Sequence, residues 1–184
     1  MPDPEAAPAP AALTAEVRDF LRGARIATIA TADEAGSPHQ AAIWFRLEPD
    51  DRILVNSLDG RRWPRQLEAS RRCSLAVIDE ADRYRWLAVA AALEEVDRSS
   101  AAREDIVALS VHYDDASDAG AIRFRSQARV SFRLRITSIH AELGSGPSAS
   151  ACFRGRRPRT GPRSAMPRSR PRPLAGTRSG CGTT

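Results

Sequence analysis

The sequence predicts a mainly β fold of the α+β class, antiparallel strands with two or three short helices, and three observations carry that prediction. Val130, Phe132, Leu134 and Ile136 alternate with Arg129, Ser131, Arg133 and Arg135, a period of two that sends one set of side chains inward and the other outward. Two hairpins follow one another between residues 24 and 57 with no helix between them, which marks a meander rather than a parallel crossover fold. Helical spacing is confined to short stretches near the start and after residues 60 and 99.

The elements follow in order. Residues 1–12 are rich in Pro and Ala, have little to bury, and are expected to form a disordered leader. Leu13, Val17, Phe20 and Leu21 fall at i, i+4, i+7 and i+8, one stripe of a short helix that Gly23 ends. Residues 24–31 predict a strand, with Asp33-Glu34-Ala35-Gly36 as the turn after it. Ile43, Phe45 and Leu47 alternate with Ala42, Trp44 and Arg46 in a second strand. Pro49-Asp50-Asp51 turns again into a third over residues 52–57. Residues 60–71 are polar and hold Pro64, which suits the first turn of a short helix. Residues 73–78 make a fourth strand. Residues 85–96 make a fifth, although Ala88 to Leu93 would also accept a helix. A further helix over residues 99–113 places Ile106, Leu109 and Tyr113 at i, i+3 and i+7. The alternating segment 129–136 is the sixth strand, its arginine face expected to be cationic and wet.

Composition excludes several classes. Apolar residues make up 42% and charged residues 28%, so the chain is neither wholly disordered nor a bundle of membrane helices. No apolar run approaches the roughly 20 residues a spanning helix needs. Met1-Pro2-Asp3-Pro4-Glu5 has neither a basic nor an apolar signal region, so no secretory signal is expected. Cys73, Cys152 and Cys181 form neither a disulfide framework nor a zinc pattern, which points to a cytoplasmic setting without a bound metal. The charge is uneven. Residues 1–144 carry 19 Arg against 23 Asp and Glu, whereas residues 145–184 carry nine Arg and no acid, so the net +5 belongs to the tail. That tail also holds six each of Pro, Gly and Ser and is expected to be disordered. It either binds nucleic acid or acidic surfaces electrostatically, or is an unselected extension of the reading frame.

The sequence holds no G-x-S-x-G, no Walker loop, no G-x-G-x-x-G and no H-E-x-x-H, and it designates no catalytic residue. His112 and His140 read as surface or capping residues. The segment from Asn56 and Ser57 through Gly60, Arg61, Arg62, Trp63, Pro64, Arg65 and Gln66 is the site candidate. A strand end runs into a loop and a helix start, where free backbone N–H groups favour anions. Arg61, Arg62 and Arg65 add forked donors suited to phosphate or carboxylate, and Asn56 and Ser57 add neutral ones. Three arginines on a short helix can equally face water, and spacing alone does not separate the two.

The run Gly36-Ser37-Pro38-His39 into Ile43-Trp44-Phe45, then Asn56-Ser57, Gly60-Arg61-Arg62 and Cys73-Ser74-Leu75-Ala76-Val77, resembles the pyridoxamine 5'-phosphate oxidase-like superfamily. Within it the chain most resembles the branch that uses the deazaflavin coenzyme F420. The resemblance spans residues 13–144. It implies a six-stranded split β-barrel working as a homodimer, with cofactor grooves at the subunit interface. The family's phosphate-binding basic positions fall on Arg61, Arg65 and Trp63. Trp63 departs from the pattern, since many relatives carry Lys there; Arg62 would have to replace the charge, or the indole would stack on a ring. Gln66 stands where relatives place an amide near the phosphate. Ala42 and Trp44, with the neighbourhood of His39 and Gln40, match positions lining the cofactor ring groove.

The implied chemistry is hydride transfer from the reduced deazaflavin to a small conjugated or unsaturated acceptor, with an FMN-binding flavoprotein on the same scaffold as the alternative. A third possibility is a non-catalytic protein that binds cofactor, or nucleic acid through its tail. The Arg-x-His pair of true pyridoxamine phosphate oxidases is missing around residues 133–140, so that oxidation is not expected. Residues 79–84 and 114–126 are candidates for the outer wall of the substrate pocket.

Overall fold

A single stretch of chain, residues 38–47, forms both edges of one sheet. The computed structural model describes residues 9–144. Seven antiparallel strands occupy them: β1 Ala27–Ala32, β2 Pro38–Ile43, β3 Phe45–Leu47, β4 Arg52–Leu58, β5 Arg72–Ile78, β6 Trp86–Asp97 and β7 Arg129–Glu142. Their order is β2-β1-β5-β6-β7-β4-β3. β2 pairs with β1, Ile43 opposite Ala27, while β3 pairs with β4, Phe45 opposite Val55. Only Trp44 separates β2 from β3. Because successive Cα atoms are about 3.8 Å apart, the sheet must curl until its two edges meet, which is a split barrel.

This corrects the predicted count of six strands to seven. The segment expected as one strand over residues 42–47 is two, because its alternation runs unbroken through Trp44 while its hydrogen-bonding partner changes from β1 to β4. Residues 85–96 are resolved in favour of the strand: β6 pairs with both β5 and β7, and two register shifts against β7 bend it.

Four helices occur among the described residues: α1 Ala15–Arg22, α2 Arg62–Ser70, α3 Ser100–His112 and α4 Asp118–Arg125. Two or three were expected. α4 escaped because it is short, contains Gly120 and buries only Phe124, so no apolar stripe announces it. Its start is capped by Ser117, whose Oγ accepts from the Gly120 N–H at 3.0 Å. Thr14 and Ser99 cap α1 and α3 in the same way.

Ile29, Phe45, Ile53, Leu75, Phe132 and Leu134 fill the barrel, joined by Phe20 and Leu21 from α1 and by Trp63 and Leu67 from α2. Burying each such side chain contributes about 1.5–3 kcal/mol. A second cluster, Ile106, Leu109 and Phe124, packs α3 and α4 with Trp44 and Tyr113.

The polar face of β7 is not wet. α3 lies against β3, β4 and β7, so Ser131 is fully buried and Arg133 only 19% exposed. Arg133 is compensated by Glu48 at 3.1 Å, Glu95 at 3.4 Å and Asp105 at 3.8 Å. The alternation is as predicted; the helix laid over it is a tertiary event.

Within the leader, Ala11 is tied down: its N–H donates to the Ile136 carbonyl at 2.9 Å. Residues 1–8 and the tail, 145–184, lie outside the described residues.

Candidate functional site

β4 ends at Leu58, and the chain turns at Asp59-Gly60 into α2. Gly60 adopts φ +82, a left-handed conformation that a Cβ would strain, and the Asp59 N–H is held by the Ala128 carbonyl at 3.0 Å. Arg61 then occupies the N-cap of α2 in extended conformation without a side-chain cap bond, and the first turn of the helix holds no acid. The positive end of α2 is left unneutralised.

Beside this turn lies a cavity of about 480 Å³. β4 contributes Asn56, Ser57 and Leu58, and Arg61 and Trp63 come from the start of α2. The barrel seam contributes Ala42, Ile43 and Trp44, with Ile26 beside them. Ile106, Asp115, Arg123, Phe124, Gln127 and Arg129 complete the wall. The lining therefore combines aromatic and aliphatic side chains with guanidinium and amide groups.

The guanidinium groups are not compensated by acids. Arg61, Arg123 and Arg129 make no ion pair among the described residues. Burial, and then the charges of Arg61 and Arg123, pull the Arg129 guanidinium below its usual pKa. Its NH1 donates to Asn56 Oδ1 at 3.4 Å and its NH2 to Gln127 Oε1. Its Nε–H is buried without a partner, and so is the Ser57 hydroxyl. The guanidinium carbons of Arg123 and Arg129 each stand 5.0 Å from the centre of the Phe124 ring. Asn56 is fixed in turn, its Nδ2 donating to the Ala102 carbonyl at 2.8 Å and to Ser131 Oγ at 3.0 Å. A buried unpartnered donor, a buried unpartnered hydroxyl and three uncompensated guanidinium groups fit an anionic ligand end.

Of the residues singled out in the sequence, Ala42, Trp44, Asn56, Ser57, Arg61 and Trp63 line this cavity, and Arg62, Arg65, Gln66, His39 and Gln40 do not. Arg62 stands 3.6 Å from Asp33, and Arg65 is exposed on α2. Gln66 is buried, its Oε1 accepting from Thr31 Oγ1 at 2.8 Å. His39 and Gln40 lie on β2 opposite Thr31 and Ala30. The Trp63 indole is only 2% exposed and packs against Phe132, ring centres 5.6 Å apart, so its main contact is with the core rather than with a ligand ring. Gln127 and Arg129 line the cavity without having been singled out in the sequence as site residues. For Arg129 the signal was present, a basic residue at the start of the last strand, but it reads like every other arginine on that face. Residues 114–126, expected as outer wall, contribute Asp115, Arg123 and Phe124.

Cys73 is buried, and burial pushes its thiol up to about 12, so it offers no nucleophile. Among the described residues no helix is long and apolar enough to cross a membrane.

Comparison with known proteins agrees with this fold. The family model for pyridoxamine 5'-phosphate oxidase matches residues 13–142. No curated protein matches the chain. Among solved structures, an F420 reductase is 21% identical with a TM-score of 0.56, covering 67% of this chain and 94% of its own. A conserved hypothetical protein of Mycobacterium tuberculosis is 19% identical with a TM-score of 0.60, covering 77% and 96%. A Lactobacillus delbrueckii protein named for pyridoxamine 5'-phosphate oxidase is 14% identical with a TM-score of 0.51, covering 70% and 93%. At these identities the likeness is one of fold.

Proposed function

The chain belongs to the pyridoxamine 5'-phosphate oxidase family, and from that premise we propose that it is an oxidoreductase using reduced coenzyme F420 to transfer a hydride to a small conjugated or unsaturated acceptor. The observation that carries this reading is the cavity itself, whose lining combines Trp44 with the uncompensated guanidinium groups of Arg61, Arg123 and Arg129. A redox cofactor with a planar ring and an anionic tail has that same polarity. The F420 reductase among the structural relatives supports the choice of cofactor.

When bound, the deazaflavin supplies the hydride from its ring carbon. The chain's own residues bind and orient. Arg61, the free N-terminus of α2, Asn56 and Ser57 hold the anionic end. Ala42 and Trp44 form the ring wall, and Ile26, Ile106 and Phe124 keep water from it. Positioning in a dry slot is the protein's whole share of the work, which accords with the lack of a paired acid and base on this wall.

FMN is the second reading, favoured by the number of cations: three guanidinium groups suit the dianionic phosphate monoester that ends FMN. We further propose a homodimer in which a second copy completes the groove and a small-molecule acceptor binds above the ring. Incubation with F420 and with FMN, followed by native mass spectrometry, reports cofactor and stoichiometry together. A bound deazaflavin supports the first reading, FMN alone moves it to the second, and binding of neither removes both.

A further inference from the structure

Of the arginines on or near α2, only Arg61 reaches the cavity; Arg62 turns to Asp33 and Arg65 is exposed elsewhere on the helix. Yet the cavity is lined by three guanidinium groups without an ion pair among the described residues, and the least exposed of them comes from β7. Arg129 is held from two sides, by Asn56 and Gln127, both neutral. Neutral partners orient a guanidinium without neutralising it. Its remaining Nε–H has no partner, and neither has the Ser57 hydroxyl on the adjoining strand. Phe124 lies under Arg129 and Arg123 alike, with each guanidinium carbon 5.0 Å from its ring centre. Asp115, the acid on this wall, is exposed and pairs with none of them.

We infer that Arg129 of β7, with Arg123 of α4 on the shared Phe124 ring, is the anchoring anion-binding pair of this chain, and that it selects ligands ending in a phosphate group over neutral ligands with the same ring. Arg129 supplies the fixed inner donor through its free Nε–H, beside Ser57. Arg123 is exposed and reaches in from the rim, adding charge where a second anionic oxygen projects. Before a ligand binds, the two guanidinium groups and Arg61 repel one another. A phosphate relieves that repulsion as well as forming hydrogen bonds, so affinity depends on the anion more steeply than one added bond would give. This rests on the reading of the cavity as the cofactor site, but it concerns which residues grip and what they discriminate.

Three probes separate the claims: FMN, riboflavin (the same ring without phosphate) and inorganic pyrophosphate. Binding of the first two is followed by quenching of flavin fluorescence, and of pyrophosphate by the shift in thermal unfolding. Arg129→Met should weaken FMN by about tenfold or more and leave riboflavin unchanged, and Arg123→Met should weaken FMN by about threefold or more. Arg22→Met, an equal loss of charge on α1, should move neither. FMN binding unchanged in both cavity variants overturns the inference, as does an equal loss of FMN and riboflavin. Should Arg129→Met fail to fold, Arg123→Met, at an exposed position, decides alone. If wild type binds neither flavin, the FMN reading alone fails, and the F420 reading is judged by its own titration. Pyrophosphate then judges the pair: stabilisation that disappears in Arg123→Met sustains it, and no stabilisation of wild type ends it.

Discussion

The indole of Trp44 and the ring of Tyr113 stack almost parallel, centres 5.2 Å apart and planes 13° from one another. Trp44 is the single residue between β2 and β3, and Tyr113 follows the last turn of α3. The Tyr113 hydroxyl donates to the Arg25 carbonyl at 2.6 Å and accepts from the Phe45 N–H at 3.1 Å. The seam that closes the barrel is thereby fastened to the helical cover, and the aromatic wall of the cavity is held from behind.

Tyr113→Phe keeps the stack and removes the fastening. It should cost about 1–3 kcal/mol, because the Phe45 N–H and the Arg25 carbonyl lose a half-buried partner. Urea unfolding at constant m-value measures this; an unchanged midpoint would show that water replaces the hydroxyl.

Trp44→Ala removes the wall itself. An aromatic contact is worth about 0.5–1.5 kcal/mol beyond its area, so ring binding should weaken by about threefold to tenfold. The effect should be equal for FMN and riboflavin, since it concerns the ring and not the anion. A titration in which only FMN suffers would contradict that assignment.

Arg61→Ala should weaken the phosphorylated cofactor by about an order of magnitude, the scale of one charge-assisted hydrogen bond. Calorimetric titration reads it directly. The difference from wild type should shrink as salt is added, because Arg61 is exposed and screened.

Three carboxylates predict the acid limit. Asp51 lies below its usual pKa chiefly through its hydrogen bonds from Arg18, Asp79 through the Ala81 N–H and then Arg25, and Asp97 through Ser99. A folded-state pKa below the unfolded one gives stability that is complete above the ordinary carboxylate value, about 4, and lost as pH falls through the lowered one. Thermal unfolding should therefore gain no slope from these groups above about pH 5 and should fall steeply below about pH 4. Asp79→Asn should make that fall shallower, and an identical acid profile in the variant would refute the attribution.

Cys73, with its thiol pushed up to about 12, should resist iodoacetamide in the native protein at pH 8 and react fully once unfolded. Peptide mapping of the segment containing Cys73 isolates it from the other two cysteines. Native-state labelling at the rate of a free thiol would show that β5 opens on that timescale.

Much of the barrel was legible because period-two burial is a local property: β1, β4, β5 and β6 lie where alternation and turns put them, within a few residues, and β7 starts at residue 129 as expected but runs on to Glu142, six residues past the alternating segment. The first strand starts at Ala27 rather than residue 24 because the Arg25 N–H is taken by the Gly23 carbonyl in a turn. Trp44 shows the limit. Nothing in its neighbours says that the residue before it pairs with one edge of the sheet and the residue after it with the other. The candidate site was half legible, since Asn56, Ser57 and Arg61 follow one another near a helix start and that proximity is written in the chain. Arg129 is 68 residues from Arg61, and the arginines of β7 look alike until α3 covers Arg133 beside three acids and leaves Arg129 facing the cavity.

Order along the chain therefore determined which residues are strands, which faces are apolar, and that a cationic turn precedes α2. Closure of the sheet at Trp44, the cover of α3 and α4, and the meeting of Arg61, Arg123 and Arg129 were decided only in three dimensions. The reason is physical: side-chain alternation and capping act over a few residues, whereas burial and charge compensation depend on partners that distant segments bring.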